Sequence, residues 1–236
     1  MCALRPLQKE TREDIESRLH RLFLGLVHDG SHFSTITYLS AFDQKLFAVG
    51  LVADECVELV RAYYAEYDKQ KNSGDIPDIT EVIVLDRKIT TYLETFFYFL
   101  CSLFDVLAKY TPYFCPSLPQ ASSRTDYFRR QLTYFMAHPE IDKQYADLLK
   151  RSKLWIDLIF ENRNTFTHRK SPLLILAEGK APLMFELQGP ETQESSRPMR
   201  LELFESIEKY LIETVNQLYG FLAAYVAIQE NRKVSS

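Results

Sequence analysis

In the run Glu161-Asn162-Arg163-Asn164-Thr165-Phe166-Thr167-His168-Arg169, three side chains have the chemistry of a site: Arg163, Asn164 and His168. Imidazole titrates near neutrality, so His168 can serve as a general acid or base. Guanidinium stays charged and offers a planar fork of donors to phosphate or carboxylate oxygens. Arg163 also interrupts an apolar helical stripe. Leu148, Leu149, Trp155, Ile156, Ile159 and Phe160 recur at helical spacing, and Arg163 follows Ile159 by four residues, so it continues their face. An arginine aimed into a core or an interface needs partners, because an unpaired buried charge is expensive. Two arrangements supply them. One is an anionic ligand. The other is an ion pair with Glu94 or Asp105 on a neighbouring helix, with His168 capping a helix end. Residues five apart are turned about 140° from each other on a helix. Arg163 and His168 therefore converge only if the helix ends or deforms before His168, or if two copies of the chain share one site. Thr165, Thr167 and Pro172 favour an early end.

The elements that must hold this segment read as helices. The first covers about residues 7–28. The second covers 34–70, with Gly50 as a weak point in its interior. A third, over 80–110, carries Ile89, Tyr92, Leu93, Phe96, Phe97, Leu100, Leu103, Phe104 and Leu107 on one stripe and should be nearly central. A loop with Pro112, Pro116 and Pro119 follows it. The fourth helix starts at Ser122 or Ser123 and stops before Pro139. The fifth, 140–167, bears the Arg163 segment. Residues 173–176 and 183–187, separated by Glu178-Gly179-Lys180, pattern as a small β-hairpin. The last helix spans 202–230. The expected fold is all-α, an antiparallel helical bundle with that hairpin after the motif helix. It forms a single domain over 1–236, with N-terminal helices in 1–79 and the core in 80–231.

Composition narrows the classes. The 236 residues include 16 Phe, 14 Tyr and only 7 Gly, which favours aromatic packing between helices over a sheet. A net charge of -4 argues against a surface covered in nucleic-acid-binding charge, though a local basic groove remains compatible. Lys150, Arg151, Lys153, Arg169 and Lys170 concentrate positive charge toward the Arg163 end. Residues 124–134 interleave Arg129 and Arg130 with Tyr127, Phe128 and Tyr134; the pattern suits RNA, but a solvated helix with a packed aromatic side explains it more simply. Cys2, Cys56, Cys101 and Cys115 form no CxxC pair and read as free thiols. His28 and His32 have ligand spacing, but Gly30 and Ser31 lie between them and no third ligand is near, so no metal is expected. No phosphate loop, dinucleotide glycines or nucleophile elbow occurs, and no cofactor is expected. Glu55 and Glu58 have no evident partner. The most apolar stretch, 95–104, lies between Glu94 and Asp105 and is too short to span a bilayer. The expectation is a cytoplasmic protein with no membrane association.

A long central helix, a second helix ending in Arg163-Asn164-x-x-x-His168 and a final long helix together resemble the HEPN superfamily. Arg21 and His28 also satisfy a loose form of its signature. Leu22 follows that arginine, however, and the pair lies too early in the helix order. The resemblance covers roughly residues 80–230. It implies a homodimer whose two motifs share one cleft and cleave RNA without a metal, leaving a cyclic phosphate. In that role His168 is the acid-base group, Arg163 the phosphate binder and transition-state stabiliser, and Asn164 the orienting amide. It further implies a toxin or defence setting, with an antitoxin or another protein as partner. Its alternative is a non-catalytic HEPN-like module that binds RNA, nucleotide or a protein through the same cleft.

Overall fold

The computed structural model describes residues 9–28, 34–73, 80–115, 127–168, 174–175, 184–185 and 207–235. They form α1 (Lys9–His28), α2 (Ser34–Ser73), α3 (Thr80–Phe114), α4 (Phe128–Ala137), α5 (Lys143–His168), β1 (Leu174–Ile175), β2 (Met184–Phe185) and α6 (Ile207–Ser235). The architecture is all-helical. The hairpin expected over 173–187 is not seen as a whole, since only two short strands of it lie among the described residues. β1 and β2 pair antiparallel over two residues each, Leu174 opposite Phe185 and Ile175 opposite Met184, and the residues between them lie outside those described. Two rungs are far below what an independent sheet needs.

By their contacts the residues group into two units, each assembled from separate stretches of chain. The first comprises Met1–Phe47, Leu100–Ile156 and Asn216–Ser236; the second comprises Ala48–Phe99 and Asp157–Val215.

The first unit is built around aromatic rings. Phe23 of α1 stacks on Tyr110 at 4.0 Å and meets Phe42 edge-on at 5.3 Å. Phe104 is the hub for Phe128 (4.6 Å), Phe221 (5.5 Å) and Trp155 (5.7 Å). Edge-to-face pairs of this kind add to the burial that each ring already contributes.

α3 runs to Phe114 with Pro112 inside it, where the sequence predicts a loop after residue 110. Proline has no N–H for the carbonyl four residues earlier, which here is Ala108. Gln131 of α4, fully buried, supplies the missing donor: its Nε2 bonds Ala108 O at 3.1 Å, and its Oε1 accepts Tyr145 OH at 2.9 Å. A side chain from another helix thus repairs the gap, so the helix survives its proline. At the same end Arg232 donates to Phe114 O at 3.0 Å and pairs with Asp142, whose other oxygen caps α5 through Tyr145 N at 3.0 Å. Arg18 and Glu230 tie α1 to α6 at 2.5 Å, and that hydrogen bond is the main cause holding the Glu230 carboxyl below its ordinary value.

The second unit buries Val49, Val52, Cys56, Val60 and Tyr63 of α2, Leu85, Ile89, Leu93, Phe96 and Phe97 of α3, and Ile207, Tyr210 and Leu211 of α6. The α2 and α3 positions recur at three- and four-residue steps. Gly50 does not break α2; its cost of about 1 kcal/mol relative to Ala is small beside the burial of its neighbours. Arg61 joins α2 to α6 by bonding Glu58 at 2.6 Å and Glu208 at 2.7 Å, which gives Glu58 the partner its sequence context did not show.

α3 and α6 each contain an 18-residue window of mean hydropathy 1.3, long and apolar enough to cross a membrane by length and composition alone. The stretch 95–104 is therefore part of a longer apolar helix than the sequence reading assumed. Half of each window is buried inside the protein, and core helices pass the same test.

Candidate active site at the end of α5

α5 positions the motif. Leu148, Leu149, Ile156, Ile159 and Phe160 are buried as their spacing predicts, Leu158 is buried beside them, and Trp155 is half-buried. The first polar side chain to continue this arc is Asn162, which is 1% exposed and donates to Leu158 O at 2.7 Å. That bond returns to the preceding turn of the same helix, so a buried amide donor is satisfied without leaving α5.

Arg163 is half-buried and lies within the arc spanned by Ile156 and Asn162. Its Nη1 donates to Asn164 Oδ1 at 3.2 Å. The amide therefore orients the guanidinium, one of the roles its residue type allows. Glu94 is exposed, and Asp105 accepts the backbone N–H of Phe128 at 3.0 Å, which makes it a cap for α4. The long apolar side of α5 thus ends in an amide, a guanidinium and a second amide within three consecutive positions.

The backbone of α5 remains helical through His168. An early end or deformation before His168 is thereby overturned as the way to bring the two ends of the motif together. Position 168 lies about 140° round the helix from position 163. The side chains of Thr165, Thr167 and His168, and all of Arg169 and Lys170, lie outside the described residues.

The remaining candidates separate cleanly. Lys150, Arg151 and Lys153 are exposed, but they lie ten or more positions before Arg163 along the chain. The His28 side chain and His32 lie outside the described residues, as do residues 124–126. Among the described residues, no three His, Cys, Asp or Glu side chains converge as metal ligands. Cys56 is fully buried, and burial pushes its thiol up to about 12, which makes it a poor nucleophile.

One feature of the first unit escaped the sequence reading. A groove of about 400 Å³ is lined by Glu16, Ser17, His20, Asp43, Leu46 and Phe47. In it His20 Nδ1 lies 3.4 Å from Asp43 Oδ2, and burial is the main cause raising the Asp43 carboxyl. The pair spans two helices, α1 and α2, which no local spacing rule reveals. A histidine oriented by an aspartate is half of a relay, but no bond joins Ser17 to His20, so no nucleophile is activated there.

Comparison of the chain with protein-family models, curated proteins and solved structures finds no match. The functional reading therefore rests on the residues themselves.

Proposed function

We propose that this chain is a HEPN-like, metal-independent endoribonuclease that acts as a cytoplasmic homodimer, in the setting of a toxin or defence system. The observation that supports it most is the Arg163–Asn164 pair at the end of an otherwise apolar helix face, five positions before a histidine. An oriented guanidinium can bind a phosphate bidentately and stabilise the charge that builds on a pentacoordinate phosphorus.

His168 takes the proton from a ribose 2′-hydroxyl as that oxygen attacks the adjacent phosphorus. The P–O5′ bond breaks, the departing O5′ takes a proton from water, and the His168 imidazolium gives its proton back to solvent. The products are a 2′,3′-cyclic phosphate and a 5′-hydroxyl, with no net change in protons or electrons. General acid-base help of this kind is worth about 10²–10⁴ in rate. Because positions 163 and 168 diverge on a continuous helix, Arg163 of one copy works with His168 of the other, and the homodimer is part of the mechanism.

The second reading, a non-catalytic module binding RNA, nucleotide or a protein such as an antitoxin, gains support from the same bond. Asn164 already engages Arg163 within the chain, which an architectural arginine would require. Incubation of the purified protein with a mixed RNA pool in EDTA, beside His168→Ala, separates the two. Nuclease action predicts cleavage that survives chelation, leaves cyclic phosphate ends and disappears in a folded His168→Ala protein. A folded dimer that leaves the pool intact, or a His168→Ala protein that still cleaves, contradicts it.

A further inference from the structure

Between residues 127 and 156 the chain carries six Lys or Arg and three Asp or Glu, in a protein whose net charge is -4. The structure gathers most of this positive charge at one end of a helix pair. α4 and α5 run antiparallel in the first unit. Phe135 meets Tyr145 at 4.9 Å at one end, while at the other Phe128 and Trp155 both contact Phe104, at 4.6 and 5.7 Å. Arg129 and Arg130, which follow Phe128, therefore lie toward the same end of the pair as Arg151 and Lys153, which precede Trp155, with Lys150 further back along α5. All five are exposed.

Two further features distinguish this face from ordinary solvated charge. Tyr127 is 53% exposed, and the Arg130 guanidinium lies over its ring at 5.3 Å. The ring is thus held beside the charge with part of its area open to a ligand. Arg129 and Arg130 also occupy the first turn of α4, where acidic residues are absent and the helix dipole disfavours cations. Helix stability does not call for arginines at those positions.

We infer that the Tyr127-Arg129-Arg130 face of α4, extended by Arg151 and Lys153 of α5, binds single-stranded RNA. The arginines and lysines track the phosphates, and Tyr127 stacks on a base. Charge complementarity selects a polyanion, and the exposed ring beside the guanidinium selects one with accessible bases. The choice of RNA among such polymers rests on the nuclease reading above, whereas the binding face itself does not use Arg163 or His168.

The test is fluorescence anisotropy of a 5′-fluorescein 12-mer of uridine with the His168→Ala chain, which keeps the probe intact. Arg129→Glu/Arg130→Glu should weaken binding about tenfold or more and flatten its salt dependence. Tyr127→Ala should weaken it about fivefold or more with the salt slope unchanged. Arg87→Glu/Lys88→Glu, the same charge change at exposed positions of α3, should leave affinity within about twofold. Arg129→Gln/Arg130→Gln, a milder change, must move binding in the same direction as the glutamate pair. Absence of binding by the parent, or equal loss from both charge reversals, overturns the inference. So does binding to phosphatidylserine vesicles that needs the arginines while RNA binding does not. Binding that depends on this face without any cleavage by the wild-type chain would contradict the nuclease reading and leave this one standing. Cleavage with unchanged binding in the arginine variants would do the reverse.

Discussion

Asn162, not only Arg163, is the polar residue that α5 takes out of water, and the two differ in what their removal should do. The Asn162 amide is satisfied by Leu158 O within its own helix. Truncation to Ala removes that bond and leaves a small cavity, so Asn162→Ala should cost about 1–2 kcal/mol of stability. The shift in urea midpoint measures it, and a change below about 0.3 kcal/mol would show that the site collapses without penalty. The types of Arg163, Asn164 and His168 were legible in the sequence, because charge, amide and imidazole stand out at the end of an apolar run. Asn162 was not singled out, although it follows Ile159 by three residues, the other helical step. The His20–Asp43 pair was not legible at all, since 23 positions and a change of helix separate its members.

At the scale of elements, periodicity carried most of the fold and proline chemistry carried the main error. The stripes of α3 and α5 predicted most of the buried residues, because a 3.6-residue period permits only one such face, while Tyr92 and Trp155 on the same stripes are half-buried. A proline normally ends or kinks a helix, so the sequence predicts a loop at Pro112. What overrode it was Gln131, whose side chain reaches the carbonyl that Pro112 leaves without a donor. That repair comes from a different helix and has no local signature. It makes a coupled prediction. Gln131→Leu should destabilise the protein by about 2 kcal/mol or more, since it strands both Ala108 O and Tyr145 OH. Adding Pro112→Ala to that variant should recover part of the loss, because an alanine N–H can again bond Ala108 O. A double-mutant cycle by chemical denaturation reads the coupling, and strictly additive effects would contradict it.

For the molecule as a whole, helix content and class could be read from the chain, but the grouping of contacts could not. Four helices of 26–40 residues, α2, α3, α5 and α6, each contribute to both units. The division therefore follows no linker, glycine run or change in composition. The same length gives α5 its functional consequence. A helix that stays regular through His168 turns the two ends of the motif apart, and the proposed chemistry then requires a second copy of the chain. The most direct test mixes two inactive proteins, Arg163→Ala and His168→Ala, each confirmed as a folded dimer, and assays RNA cleavage in EDTA after subunit exchange. Each variant alone should be inactive. The mixture should recover roughly a quarter of the wild-type rate, because half of the dimers are mixed and each mixed dimer holds one intact Arg163–His168 pair. No recovery in a mixture shown to contain mixed dimers, or activity in either variant alone, would contradict the account.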